Sequence, residues 1–180
     1  MPKNQTVYKI IATIAIAIVA ISAVFFVQNQ DKGMHYNDYT SENPYQDLQN
    51  HSDLDKINYS IVYREGCQHC AKAESTITDN LKRLKKDKVP FTVTNVNNAP
   101  NNVLNYLSKR NITQTPTIIV QYKTYTLYAY TGINKTIINT LLKGINPDTS
   151  KKFTATKPKA TVYKNDITKS FNKTPVNDPD

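Results

Sequence analysis

The feature that most constrains the fold of this chain is a β-strand that leads into an amphipathic helix through two closely spaced cysteines. Residues Ile57–Tyr63 are mainly β-branched or aromatic, which predicts a strand. The only cysteines of the protein, Cys67 and Cys70, follow it. Apolar residues then recur at steps of four, four and three, the spacing of a helix: Ala73, Ile77, Leu81 and Leu84. A strand joined to a helix in this way indicates an α/β fold.

The rest of the middle region continues the alternation of strands and helices. Three further strands are predicted, at residues 91–96, 116–122 and 124–130. The last two are joined at Lys123, which predicts an antiparallel hairpin. Two further helices are predicted, capped by Asn102 and Asn134, and Gly144 ends the second. The order β-α-β-α-β-β-α predicts a mixed central sheet, because strands separated by helices pair in parallel and the hairpin adds antiparallel strands.

A single apolar run stands near the N-terminus. Residues 10–27 contain only two polar side chains and are about long enough to cross a bilayer, which predicts a transmembrane anchor. Lysines precede the run and acidic residues follow it, so we expect residues 1–9 in the cytoplasm and the domain on the extracytoplasmic face of the cell membrane. The alternative is a secretory signal peptide cleaved near Ala20-Ile21-Ser22, which would release a secreted protein. Both interpretations place the domain outside the cytoplasm.

The segments on either side of the predicted domain, residues 53–145, are more polar. Residues 28–52 lack a periodic pattern and are predicted to form an extracytoplasmic spacer, with a short helix between Tyr45 and Leu54. Residues 146–180 are rich in lysine, threonine and proline and poor in aliphatic residues, which predicts a disordered tail. Within the tail, only Thr161–Tyr163 has the composition of a brief strand.

Charge and glycine placement exclude several classes of function. The formal net charge is +9, and residues 53–145 carry 13 basic against six acidic side chains. Such a surface suits acidic partners such as anionic polymers of a cell envelope, but basic residues interleaved with aromatic ones are missing, so no nucleic acid is expected. The four glycines lie far apart, which excludes phosphate-binding and dinucleotide loops. No cofactor is predicted. A metal bound by Cys67, His69 and Cys70 would need a further ligand, so no metal site is predicted either.

The two cysteines are predicted to form a reactive dithiol. At the start of a helix, unpaired backbone N–H groups and the helix dipole stabilise a thiolate and lower the pKa of the thiol. Cys67 would then be the attacking thiol, and Cys70, one turn further on, would resolve the mixed disulfide. A protonated His69 would further stabilise the Cys67 thiolate. The alternative is a structural disulfide, but a loop closed over two residues stabilises a fold little.

These residues together resemble the thioredoxin superfamily. The resemblance covers roughly residues 53–145 and rests on three features in order: the strand–Cys67-Gln68-His69-Cys70–helix unit, Thr115-Pro116 before a strand, and Gly132 before the last helix. It implies a thioredoxin-like fold in which a cis-proline loop lies against the cysteine motif and pairs with the backbone of the substrate. Gln68, Thr115 and Pro116 are thus the predicted substrate-binding residues.

The residue before the second cysteine refines the resemblance. His69 matches protein disulfide isomerase and the bacterial periplasmic disulfide oxidases, which favours an oxidant or isomerase over a reductant. The stretch Arg64-Glu65-Gly66-Cys67 is also similar to small thioredoxin-like accessory proteins of Gram-positive bacteria associated with peptide export.

Two positions depart from the pattern of the superfamily. Ile61 stands where a buried acid usually accepts a proton from the resolving thiol, and Gly66 stands where an aromatic residue is common. Glu65 is close by in the loop, and whether it replaces the acid is left open. The missing acid allows for slow resolution of the mixed disulfide.

We therefore predict a membrane-tethered thiol–disulfide oxidoreductase that acts on exported proteins through Cys67 and Cys70. Its partners would be exported proteins with thiols or disulfides, and a redox partner protein that exchanges electrons with the dithiol. The alternative is a non-catalytic thioredoxin-like accessory protein of an export or envelope machine.

Overall fold

A computed structural model describes residues 34–167 of the 180-residue chain. The predicted cytoplasmic N-terminus, the predicted anchor at residues 10–27 and the last 13 residues of the predicted tail lie outside the described residues. None of the helices between residues 34 and 167 is both long and apolar enough to cross a membrane.

The centre of the fold is a five-stranded mixed sheet with the order β2-β1-β3-β4-β5. Its strands are β1 (Ile57–Tyr63), β2 (Phe91–Asn95), β3 (Thr117–Tyr122), β4 (Tyr125–Thr131) and β5 (Val162–Asn165). β2 pairs with β1 in parallel, whereas β3 is antiparallel to both β1 and β4. The mixed sheet and the hairpin at Lys123 are therefore confirmed. Lys123 has a φ of 53°, which closes this tight turn.

Within residues 34–167, four α-helices flank the sheet: α1 (Pro44–Ser52), α2 (Gln68–Lys86), α3 (Asn101–Ser108) and α4 (Lys135–Leu142). The order β-α-β-α-β-β-α predicted for residues 53–145 is confirmed. The Asn134 side chain accepts hydrogen bonds from the Thr136 and Ile137 amides, which confirms it as the cap of α4. The predicted cap Asn102 is wrong, because α3 begins at Asn101, two residues earlier than a cap at Asn102 requires, and Pro100 occupies the cap position.

The core lies on both faces of the sheet, because alternate residues of a strand point to opposite sides. Ile61 belongs to the larger cluster, with the apolar faces of α2 and α4. Val62, the next residue of β1, belongs to the second cluster, with Leu48 of α1 and Val103 of α3. The result is three layers, with the N-terminus of α2 close to the carboxyl end of β1.

The predicted spacer is wrong from residue 34 onward, since residues 34–52 fold onto the domain. A single 3-10 turn (Tyr36–Asp38) buries the Tyr36 ring, and α1 buries Leu48. The Ser41 amide also donates a hydrogen bond of 2.9 Å to the carbonyl of Val93 in β2. Isolated apolar side chains and single hydrogen bonds attach this segment, so it has no repeated apolar face that a periodic pattern could reveal.

The predicted disorder of the tail is also wrong for residues 146–167. β5 pairs in parallel with β4, which agrees with the brief strand expected near Thr161–Tyr163. Phe153 packs edge-on against Tyr128, with the ring centroids 6.1 Å apart. The Tyr130 hydroxyl donates a hydrogen bond of 3.0 Å to Asp166. This segment is held in place because β5 pairs with the edge of β4 that would otherwise be unpaired. The composition of the segment gives no sign of this pairing.

Candidate active site

The two thiols lie at the N-terminus of α2, at different depths. Cys67 is the N-cap residue of this helix, and its sulfur accepts a hydrogen bond of 3.3 Å from the Cys70 amide. Cys67 is half-buried, whereas Cys70 is 3% exposed. Both are free thiols. The N-cap position directs the Cys67 sulfur toward the unpaired amides of the first helical turn, where a negative charge is stabilised.

The Thr115–Pro116 segment lies against Cys67. Thr117 pairs with Val62 in the sheet, so the residues just before β3 reach the carboxyl end of β1, where the cysteine segment begins. The Thr115 hydroxyl and the Thr115 carbonyl oxygen each lie 3.6 Å from the Cys67 sulfur. The Thr115–Pro116 peptide bond is cis, and Pro116 is buried. The topology therefore joins residues 48 positions apart into one site.

The surroundings of the two sulfurs shift their pKa values in opposite directions. Burial raises the pKa of Cys67, but hydrogen bonds from the Cys70 thiol and amide, the Thr115 hydroxyl and the His69 amide outweigh it and lower the pKa below its ordinary value. Burial and the neighbouring Cys67 raise the pKa of Cys70 to about 11. Cys67 is thus the thiol that ionises first, and it is also the more accessible one.

The two residues between the cysteines lie on different sides of the motif. His69 is half-buried and lines a groove of about 250 Å³ together with Cys67, Thr115, Arg64 and other residues. Gln68 is exposed and lines a separate cavity of about 360 Å³. Thr115 and Pro116, two of the predicted substrate-binding residues, are neighbours in the loop beside Cys67, and Thr115 lines the groove. Gln68, the third, lines the separate cavity instead.

The two positions that depart from the superfamily pattern have distinct surroundings. Ile61 is fully buried in the larger core cluster. Gly66 has a φ of +76°, a conformation that favours glycine, and it brings the chain into the N-cap of α2. Glu65 is exposed in this loop, where its carboxylate accepts a hydrogen bond of 3.4 Å from the Asn37 side chain.

Sequence reasoning missed two residues next to Cys70. The Tyr36 hydroxyl donates a hydrogen bond of 3.2 Å to the Cys70 carbonyl. The Tyr36 amide donates one of 3.0 Å to the carboxylate of Glu74. Glu74 follows Cys70 by four residues, a helical spacing that placed it beside the motif, but Tyr36 lies in a stretch without any pattern that could have revealed it.

Within residues 34–167, no group of three or more histidine, cysteine, aspartate or glutamate side chains is arranged to hold a metal ion.

Comparison with known proteins finds similarity only at the level of structure. No protein-family model and no curated protein sequence matches the chain. A structure concerned with the thiol-resolving mechanism of yeast mitochondrial 1-Cys peroxiredoxin is 15% identical, with a TM-score of 0.49, and covers 61% of this chain and 98% of that one. Mitochondrial thioredoxin 3 from Saccharomyces cerevisiae is 17% identical, with a TM-score of 0.46, over 60% of this chain and 96% of its own. Thioredoxin NaTrxh from Nicotiana alata is 16% identical, with a TM-score of 0.45, over 57% of this chain and 85% of its own. At such identities and TM-scores the likeness says nothing about the reaction, which has to follow from the residues of the site.

Proposed function

We propose that the protein is a thiol–disulfide oxidoreductase in which Cys67 attacks and Cys70 resolves. The observation that carries this proposal is the asymmetry of the two thiols. Cys67 has a lowered pKa and faces a groove, whereas Cys70 has a raised pKa and is buried one turn further on. A nucleophile needs a thiol that ionises readily and access to its target, and Cys67 meets both needs better than Cys70 does.

The proposed exchange proceeds in two balanced steps. The Cys67 thiolate attacks one sulfur of a client disulfide, so that a mixed disulfide forms and one client thiolate leaves. Cys70 then loses its proton and attacks the Cys67 sulfur, which forms the Cys67–Cys70 disulfide and releases the second client thiolate. The client is reduced and the protein is oxidised. In the opposite direction, the Cys67–Cys70 disulfide oxidises a client dithiol.

The groove beside Cys67 is the proposed site for the client chain. Thr115 and His69 border it, and the segment before β3 offers backbone groups to an extended peptide. The clients proposed here are exported proteins, and the redox partner is a dithiol protein or a membrane protein that exchanges electrons with the pair. The apolar run at residues 10–27 supports tethering to the membrane, and His69 supports an oxidant or isomerase role.

A second candidate function is that of a non-catalytic accessory protein in an export or envelope machine. It is favoured by a basic cluster at the C-terminal end of α2, far along the helix from Cys67. Its exposed members are Lys82, Lys85, Lys86 and Lys88. Such a cluster suits anionic envelope polymers or an acidic partner protein.

One pair of variants distinguishes the two functions. We expect Cys67→Ala to abolish disulfide exchange, and Cys70→Ser to accumulate a mixed disulfide with the client, which can be isolated and identified. An accessory protein would keep its partner and its cellular role in the Cys67→Ala variant. The reduction potential of the pair then gives the direction, since about −120 to −180 mV indicates an oxidant or isomerase and about −270 mV a reductant.

A further inference from the structure

A cavity lies on the Cys70 side of the motif and is separate from the groove proposed for the client chain. It has a volume of about 360 Å³, and the residues that line it come from the segment before α1, the end of β1, the cysteine loop and the first turns of α2. Cys70 and Glu74 both line it. A space of this size holds several water molecules, and its lining contains the polar groups that such water needs.

The resolving step requires a destination for the proton of Cys70. Cys70 is 3% exposed, and near neutral pH its thiol is protonated, because burial and the neighbouring Cys67 raise the pKa of this thiol to about 11. It becomes a nucleophile only when a base removes its proton. Ile61 lies in the same core cluster as Cys70 but is aliphatic, so it cannot accept this proton.

Glu74 has the position that this role needs. It follows Cys70 by one helical turn, which places the Cβ atoms of such a pair roughly 5–6 Å apart. Its side chain is 27% exposed, so it is largely withdrawn from bulk solvent. The Tyr36 amide donates to the Glu74 carboxylate at 3.0 Å, and the His35 imidazole lies 3.4 Å from the same oxygen. One carboxylate oxygen of Glu74 is thus held in place by His35 and Tyr36, in the segment before α1.

The other carboxylate of the cavity is less suited to the role. Glu65 is exposed in the loop before Cys67, and the Asn37 side chain contacts its carboxylate. The remaining titratable or charged groups that line the cavity with Glu74 and Cys70 are His35, Tyr36, Tyr63, Arg64 and Cys67. Burial first, and then the charges of Cys70 and Glu74, raise the pKa of Tyr36, so its hydroxyl stays protonated and acts as a donor to the Cys70 carbonyl.

We propose that Glu74 accepts, through water in this cavity, the proton that Cys70 loses when it attacks the mixed disulfide, and that Tyr36 positions both groups. The inference rests on the proposed function. The S–H bond of Cys70 breaks and its proton passes to the Glu74 carboxylate, while the new S–S bond forms and the client thiolate leaves. In the opposite direction, the protonated Glu74 returns the proton to Cys70 when the client thiolate attacks Cys67.

The test separates the two chemical steps with a symmetric aromatic disulfide, dithiobis(nitrobenzoate), whose thiolate product is coloured. The reduced full-length protein releases one coloured thiolate when Cys67 attacks and a second when Cys70 resolves. We expect Glu74→Gln to leave the first phase unchanged and to slow the second about 10- to 100-fold near neutral pH. The amide oxygen of the substituted side chain would still accept from the Tyr36 amide, so the fold of the segment is retained.

Matched variants and a pH profile make the outcome decisive. We expect Glu65→Gln to keep both phases, and Glu74→Asp to recover part of the second. We expect the second phase of Glu74→Gln to increase steadily with pH toward the pKa of Cys70, whereas the wild type changes less around neutrality. An unchanged second phase in Glu74→Gln, or an equal slowing of both phases, would overturn the role of Glu74. A wild-type protein that releases no second thiolate would instead refute the proposed function.

Discussion

The Thr115 hydroxyl donates a hydrogen bond to the Cys67 sulfur over 3.6 Å, and this contact joins the loop before β3 to the helix that carries both thiols. It is one of several donors that lower the pKa of Cys67 against the opposing effect of burial. A methyl group in place of the hydroxyl keeps the β-branched shape and removes the donor. We therefore expect Thr115→Val to raise the pKa of Cys67.

The measurement is the ultraviolet absorbance of the thiolate as a function of pH, made in a Cys70→Ser background so that one sulfur titrates. Below the pKa, the loss of a hydrogen bond of about 1 kcal/mol lowers the thiolate fraction about fivefold. Attack on a small disulfide should slow by only about two- to threefold, because the more basic thiolate is also more nucleophilic. Thr115→Ser keeps the hydroxyl and serves as the control. An identical titration curve for the valine and serine variants would show that the hydroxyl does not stabilise the thiolate.

The placement of the two cysteines could be predicted from sequence, because their geometry is local. Cys67 and Cys70 stand between a strand and a helix whose patterns are both strong, so their place at the N-terminus of α2 follows directly. The contact with Thr115 spans 48 residues and came from the family resemblance rather than from any local pattern. Tyr36 contacts Cys70 only because the segment before α1 folds back onto the domain, and no pattern in the sequence around Tyr36 predicts this contact.

Gly132 lies where the packing leaves no room for a side chain. It is buried directly after β4, its amide donates a 3.3 Å hydrogen bond to the Pro116 carbonyl, and a Cβ atom built on it would overlap the hydroxyl end of Tyr130. Tyr130 is fully buried and cannot move aside without cost. We expect Gly132→Ala to lower the free energy of unfolding by about 1–3 kcal/mol, the usual cost of overpacking.

Gly66→Ala is the matched control, measured with Gly132→Ala by denaturant unfolding. Gly66 has a φ of +76° but nothing within 4 Å of an added Cβ, so its substitution adds backbone strain of about 1 kcal/mol and no collision. The Tyr130→Phe background should recover part of the loss at Gly132 only. Equal losses for both glycine variants in both backgrounds would contradict a collision with Tyr130.

The two polar flanks show where sequence patterns stop being informative. Strand and helix periodicity predicted every element between residues 57 and 142, because each of these elements buries a repeated apolar face. Residues 34–52 and 146–167 instead attach through a few single contacts. Leu48 enters the second core cluster, and Phe153 covers Tyr128. Isolated apolar residues within polar sequence are common on surfaces, so composition alone predicted a spacer and a disordered tail.

The segment after α4 should contribute measurably to stability. Phe153 packs against the main cluster and its amide donates a 2.8 Å hydrogen bond to the Gly144 carbonyl, whereas the Tyr163 side chain is 49% exposed. We expect Phe153→Ala to lower the free energy of unfolding by about 2 kcal/mol, less than a fully buried phenylalanine would. Tyr163→Ala should lower it by less than about 1 kcal/mol. Denaturant unfolding of both variants checks this, and a loss at Phe153 no larger than at Tyr163 would mean that the segment adds little.

His51 should make the stability of the domain depend on pH. Burial lowers the pKa of His51 below its ordinary value of 6.5, nearby Asp47 opposes this, and Lys56 adds to it. The neutral ring shares a hydrogen bond of 3.1 Å with the Thr92 hydroxyl. Because the folded pKa is the lower one, the unfolded chain binds the proton more tightly, so stability is complete above about pH 6.5 and falls as the pH drops below it.

We therefore expect the free energy of unfolding of the wild type to decrease between about pH 7.5 and pH 5.5, and that of His51→Gln to change less over this range. Denaturant unfolding at several pH values compares the two proteins, and the limit near pH 5.5 keeps most carboxylates ionised. Parallel curves for the wild type and His51→Gln would show that His51 has the same pKa in the folded and unfolded chain.

Tyr36 should protect Cys70 from reagents in solution. Its ring is 3% exposed and stacks on Tyr63, with centroids 4.5 Å apart and an interplanar angle of 16°. Tyr36→Ala would remove this ring together with the hydrogen bond to the Cys70 carbonyl, and we expect it to destabilise the domain by about 3 kcal/mol. It would also widen the cavity beside Cys70, which Tyr36 lines. In a Cys67→Ser background, alkylation of Cys70 by iodoacetamide should therefore become about tenfold faster, because it no longer waits for a local opening.

Tyr39→Ala is the control, since Tyr39 belongs to the same segment but packs edge-on against Phe91, 6.1 Å away. Equal alkylation rates in the two variants would mean that general loosening of residues 34–41, and not the Tyr36 ring, determines the exposure of Cys70.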